Sequence, residues 1–83
     1  MKVLYFAWLK AKTGMAEEDI APPAGTTTVG QLIEHLKTLS PGHAAAFETL
    51  SVVRVAVNQD YGGLDTPVKA GDEVAFFPPV TGG

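Results

Sequence analysis

The order of elements predicts an α+β domain in which a sheet packs one face on one main helix. Three observations carry that prediction. Runs of branched and aromatic residues stand near both ends, at Val3–Leu9 and at Val74–Phe77. One clear helical stripe lies between them, formed by Val29, Leu32, Ile33, Leu36 and Leu39. The whole succession is strand, strand, helix, strand, strand, a mixed order without the regular alternation of a parallel sheet. With 83 residues, 46% of them hydrophobic and 18% charged, the chain has the size and balance of one globular domain.

The segment Val3–Leu9 is unbroken by Gly or Pro and apolar at successive positions, so it reads as a strand covered on both faces and central in its sheet. Lys10–Gly14 brings charge and a glycine stop, which fits a short helical turn. A weaker strand follows around Glu17–Ala21 until Pro22-Pro23 ends it. Thr28 stands three residues before Gln31, a capping-box spacing, and opens a helix expected over Val29–Leu39 with Glu34, His35 and Lys37 turned outward. Ser40-Pro41-Gly42 stops it. His43–Leu50, with its three alanines and Phe47, reads equally as a second short helix or an ordered loop. Val52–Val57 is β-branched and strand-like, and Asn58-Gln59-Asp60 with Gly62-Gly63 supplies turn chemistry after it. Lys69–Glu73 is a polar turn into the last strand, Val74–Phe77, which Pro78-Pro79 ends by removing two ladder donors. The expected division is a domain over 1–77 and an extended tail over 78–83 that finishes in a flexible Gly82-Gly83.

A chain of this length buries only roughly 60% of the surface it exposes when unfolded, enough for one thin core but not for a deep cleft. That argues against a self-contained enzyme and for a module that works with a partner. No cysteine is present, so a disulfide framework and a thiolate metal site are both excluded. A formal charge of −3 with scattered lysines argues against nucleic acid, which needs a concentrated basic face. The apolar start is too short for a membrane span and lacks the features of a signal peptide, so no membrane attachment and a cytoplasmic location are expected. His35 and His43 have no carboxylate spacing near them that makes a metal set or a triad. Glu17-Glu18-Asp19 reads as a solvated acidic patch, the alternative being a docking surface for a basic partner. Gly62-Gly63 and Gly71 read as turn residues, since no phosphate-loop signature surrounds them.

The end of the sequence is different. Proline fixes its own backbone angle, so Pro78-Pro79 makes the exit from the last strand stiff and extended. Two glycines without side chains then suit a terminal carboxylate that threads a narrow channel in another protein; a frayed end is the alternative. Three blocks, Val3-Leu4-Tyr5-Phe6-Ala7, Val55-Ala56-Val57-Asn58-Gln59 and above all Gly71-Asp72-Glu73-Val74-Ala75-Phe76-Phe77-Pro78-Pro79-Val80-Thr81-Gly82-Gly83, resemble the small subunits of molybdopterin synthase in order and nearly end to end.

That resemblance implies the ubiquitin-like β-grasp fold, a mixed sheet on one main helix. It implies a sulfur carrier: an E1-like activating enzyme uses ATP to adenylate Gly83, and delivered sulfur converts the end to a thiocarboxylate. The tail then enters the large catalytic subunit of the synthase and gives sulfur to a cyclic pyranopterin monophosphate. Gly83 is the reactive group in this reading, and Phe76, Phe77, Pro78, Pro79, Val80, Thr81 and Gly82 form the partner-binding tail. Strand alternation leaves at least one of the two phenylalanines to the core. No bound cofactor and no metal are expected, and the large subunit is expected to form a heterotetramer with two carriers. Thr81 stands where the family commonly has serine, and Trp8 and Tyr61-Gly62-Gly63 are less typical of it. The competing readings are a carrier for thiamine synthesis, a modifier conjugated to lysines through Gly83, and an interaction domain with an inert end. The approach Phe76-Phe77-Pro78-Pro79-Val80 favours the molybdenum-cofactor carrier.

Overall fold

The computed structural model describes residues 1–79. In chain order the elements are β1 (Lys2–Tyr5), α1 (Trp8–Thr13), β2 (Glu17–Asp19), α2 (Val29–Leu36), α3 (Pro41–Ala46), a 3-10 turn at Leu50–Val52, β3 (Arg54–Val57), β4 (Asp60–Gly62) and β5 (Glu73–Phe77). The strands form one sheet in the order β2-β1-β5-β3-β4, with β1 and β5 parallel and the other pairs antiparallel. This is the mixed α+β sheet of a β-grasp, as expected. One face of the sheet carries Val3, Tyr5, Val55, Val57, Val74 and Phe76 onto Leu9, Val29, Leu32, Ile33, Leu36, Ala46 and Phe47, and these residues make the core.

The main helix forms as its sequence dictates. The Thr28 side chain accepts from Gln31 N and the Gln31 side chain accepts from Thr28 N, a complete capping box worth about 1 kcal/mol. Val29, Leu32, Ile33 and Leu36 are buried as predicted. The helix ends at Leu36 rather than Leu39 because the next turns tighten: Thr38 N donates to His35 O and Leu39 N to Leu36 O, while the Thr38 hydroxyl also donates to His35 O. Leu39 is therefore 41% exposed and lies outside the stripe.

The apolar run at the start divides between two elements. Phe6 N donates to Phe76 O as the last rung beside β5, and Ala7 then takes a positive φ of 55° that turns the chain into α1. Leu9 and Thr13, four apart, face inward from α1, and Gly14 closes it in the left-handed conformation. Periodicity cannot separate helix from strand over so short an apolar run. The second strand stops at Asp19 rather than Ala21, although the Met1 ammonium still donates to Ile20 O and Ile20 N to Met1 O.

Ser40 caps and Pro41 opens α3, so the segment that stops α2 also starts the next helix. A Cβ on Gly42 would collide with the Lys12 backbone carbonyl, so glycine is what lets α3 lie against α1. Val52 belongs to the 3-10 turn, and β3 starts at Arg54. Asn58 and Gln59, with φ of 51° and 72°, make the two-residue hairpin loop between β3 and β4. Asp60 and Gly62, expected as turn residues, thus belong to an edge strand, Asp60–Gly62.

Candidate functional site

The last strand of the sheet lies in its middle, and alternation along it sorts the two phenylalanines. Phe76 is fully buried, stacked on Tyr5 with ring centroids 6.3 Å apart and set edge-on to Phe47 at 4.9 Å. Phe77 points to the opposite, helix-free face and is half-buried. By the same period of two, Leu4 and Phe6 of β1, Ala75 of β5, Arg54 and Ala56 of β3, and Tyr61 of β4 share that open face with Phe77. Phe6 is 48% exposed and Tyr61 83% exposed, and the Tyr61 ring leans on Phe77 at 5.9 Å. A cleft of about 300 Å³ lined by Arg54, Val55, Tyr61, Gly62 and Phe77 opens beside the strand end. Large apolar side chains left in water beside a groove mark a surface that another molecule covers.

Pro78 and Pro79 leave this surface directly and are half-buried. The expectations for Val80, Thr81, Gly82 and Gly83 lie outside the described residues. What the fold supplies is the root of the tail: β5 is clamped between β1 and β3, so residues that follow Phe77 start from a fixed point. Sequence reasoning singled out Phe76, Phe77 and the tail but missed Phe6, Arg54 and Tyr61. Alternation in Val3-Leu4-Tyr5-Phe6 was the available signal for Phe6; the other two become neighbours of Phe77 only through strand pairing.

A second cluster lies on the closed side. Glu18, the middle residue of β2, turns inward, where its Oε2 accepts from the Tyr5 hydroxyl at 2.7 Å and sits 2.6 Å from His43 Nε2. The Ser40 hydroxyl lies 2.7 Å from His43 Nδ1. Serine, histidine and glutamate thus stand in line, yet His43 is only 3% exposed and Ser40 Oγ already accepts the His43 backbone N–H as the cap of α3. The line is a buried brace joining β1, β2 and α3, not a nucleophile with its base. Burial first, and the Glu18 carboxylate beside it, hold the Tyr5 hydroxyl strongly toward its protonated form. Of the acidic run, Glu17 remains at the surface, paired with Lys2 at 3.0 Å.

At the other end of the sheet the Asp72 carboxylate accepts from Asn58 Nδ2, Lys69 N and Lys69 Nζ, while Glu73 N donates to Asn58 Oδ1. The Asn58 hydrogen bond, then that from Lys69 N, holds the Asp72 carboxyl below its usual range. This knot fixes the hairpin loop against the turn that enters β5. Among the described residues no group of three or more His, Asp or Glu side chains is placed to hold a metal ion, and no helix is long and apolar enough to cross a membrane.

The whole arrangement has known counterparts. The ThiS family profile matches residues 3–83. The molybdopterin synthase sulfur carrier subunit of Escherichia coli is 42% identical over 83 residues, covering 100% of this chain and 99% of that one. Among solved structures, subunit 1 of the molybdopterin converting factor from Pyrococcus furiosus superposes with a TM-score of 0.76 at 36% identity, covering 95% of each chain. A chain from the complex of subunits 1 and 2 of the Helicobacter pylori factor superposes with a TM-score of 0.65 at 28% identity, covering 99% of this chain and 96% of that one. With the fold, the open face and the strand that ends in Phe77-Pro78-Pro79 all in place, the chain belongs to the ThiS family, the ubiquitin-like sulfur carriers that include the small subunit of molybdopterin synthase.

Proposed function

We propose that this chain is the sulfur carrier subunit of molybdopterin synthase and that Gly83 carries the sulfur. The observation that supports this most is the likeness to sulfur carrier subunits along the full chain, with the family match running to residue 83. A terminal carboxyl ionises with a pKa of about 3.3–3.7, so at neutral pH it is an anion able to attack the α-phosphate of ATP. Pyrophosphate leaves and an acyl adenylate forms on an E1-like enzyme. A sulfur nucleophile at the oxidation level of hydrosulfide then attacks the acyl carbon and expels AMP, leaving a thiocarboxylate. Glycine at the last two positions keeps that carbon open to attack.

The open face around Phe6, Tyr61 and Phe77 docks on the large subunit, and Val80–Gly83 follow Pro78-Pro79 into its active site. The complex known for the Helicobacter pylori relative supports such a partner. There the sulfur bonds to a carbon of the cyclic pyranopterin monophosphate in place of an oxygen, which leaves as water or phosphate, and a further water cleaves the acyl–sulfur bond and releases the carboxylate of Gly83 for another cycle. One carrier delivers one sulfur, so a dithiolene takes two deliveries, which suits a heterotetramer with two carriers. The chain binds no cofactor of its own, and the expected location is the cytoplasm.

The test is the intact mass of the protein after incubation with ATP, a sulfur source and its activating enzyme, beside a variant lacking Gly83. A gain equal to one oxygen replaced by sulfur, absent from the variant, is the expected result. An unchanged mass with a demonstrably active enzyme would overturn the reading. A carrier for thiamine synthesis or a lysine-conjugated modifier would use the same end, and adding the large subunit with the cyclic pyranopterin separates them by whether sulfur reaches that acceptor.

A further inference from the structure

Arg54 is the only arginine among the chain's six basic residues of Lys and Arg type, and it stands where the tail begins. It pairs directly across the ladder with Phe77, the last residue of β5. It lines the cleft it shares with Tyr61 and Phe77, and it also lines a second cleft of about 230 Å³ that reaches Ile33, Leu50 and Leu64 at the sheet edge. Its Nη1 donates to Ser51 O at 3.0 Å and to Val53 O at 3.3 Å. No carboxylate pairs with it among the described residues, and Nε and Nη2 have no acceptor there. Two backbone carbonyls therefore hold the guanidinium in place while its remaining edge, the fork that grips a carboxylate with two parallel hydrogen bonds, faces outward.

The charges of the open face are graded along the strands. Asp19, Lys2 and Glu73 share one row at the start of β1 and β5, and Glu17, opposite Leu4, reaches back to pair with Lys2. Leu4, Ala75, Ala56 and Tyr61 form an apolar middle, and among the described residues of these strands Arg54 is the one cation of the end where Phe6 and Phe77 lie. In a chain of formal charge −3, a fixed positive group at the root of the tail is a local inversion of sign. Gly83 comes six positions after Phe77, a reach of up to about 20 Å for an extended chain. The group that Arg54 meets is then part of the docked protein's surface, not the nucleotide or pterin at the tip.

We propose that Arg54 is a specificity-determining residue for partner choice, forming a two-pronged ion pair with a carboxylate of the large subunit beside the entrance that takes the tail. This rests on the docking of the open face proposed above. Because the guanidinium is already held, little of its freedom is lost on binding, and desolvation between Tyr61 and Phe77 strengthens the pair. An acidic residue on the partner becomes a condition for register, and a basic one at that point is rejected.

The dissociation constant of the full-length chain with its purified large subunit is measured at low and high salt for the wild type, Arg54→Ala, Arg54→Glu, Arg54→Lys and Phe77→Ala. Arg54→Ala is expected to weaken binding roughly tenfold or more and to flatten its salt dependence. Arg54→Glu weakens it further, and Arg54→Lys restores only part, because an ammonium cannot reproduce the fork. Unchanged melting temperatures of the variants confirm that the fold is intact. If Arg54→Ala and Arg54→Glu bind as the wild type does with the same salt slope while Phe77→Ala binds more weakly, the role of Arg54 is overturned and the docking face stands. If the wild type fails to bind, or Phe77→Ala binds unchanged, the docking face itself is wrong and the proposal falls with it.

Discussion

The two faces of the sheet are built from the same strands by the same alternation, yet they obey different requirements. On the closed face Val3, Tyr5, Val55, Val74 and Phe76 meet helices, and Phe76 touches two other rings. On the open face Tyr61 leans on Phe77, and Phe6 and Tyr61 are left to water. Neighbours in sequence, Phe76 and Phe77, therefore stand in different surroundings, one committed to folding and the other left for the association proposed above. A hydrophobic residue is not evidence of a core until its direction is known.

The contrast can be broken by substitution. Phe76→Ala removes a fully buried ring and is expected to cost about 3–5 kcal/mol of stability, enough to unfold much of the population of so small a domain; denaturant titration measures it. Gly42→Ala, behind the closed face where α3 lies against α1, should cost about 1–3 kcal/mol, since the added methyl meets a backbone carbonyl that cannot yield freely; thermal unfolding measures it. Phe77→Ala should change stability by no more than about 1 kcal/mol while weakening capture by the large subunit. Equal losses for Phe76→Ala and Phe77→Ala in the unfolding experiment would erase the distinction between the two faces.

The smallest effect is confined to acid. Asp72 is held below the ordinary carboxyl pKa of 3.8, chiefly by Asn58, so its folded form binds protons less readily than its unfolded form. Its contribution is complete above that ordinary value and is lost as pH falls through the lower folded one. Asp72→Asn should flatten this acid limb of the stability curve, read by urea titration at a series of pH values below 5 or so.

Local chemistry made much of this legible. The capping box at Thr28 and Gln31, the stripe from Val29 to Leu36 and the last strand are all encoded within a few residues, and each forms where its pattern lies. What failed was set by distance. The split of Val3–Leu9 depends on Leu9 and Thr13 finding the core from α1, and the strand at Asp60–Gly62 depends on β3 as a partner, not on its own composition. His43 and Glu18, 25 apart, become one brace only when β2 and α3 fold over Tyr5. The same limit governs the site: the root of the tail could be read from Phe77-Pro78-Pro79, whereas Arg54 and Tyr61 reach it through the ladder.

The parallel pairing of β1 with β5 sets the order of synthesis against the order of the sheet. The strand made last is the one in the middle, so a nascent chain that has not yet extended through Phe77 leaves β1 and β2 on one side and β3 and β4 on the other with no strand between them. Chains interrupted before Glu73 are expected to stay protease-sensitive. Prematurely ended copies would then lack the central strand together with the residues that follow it, so under the proposed function a copy without its end would not be a folded competitor for the partner.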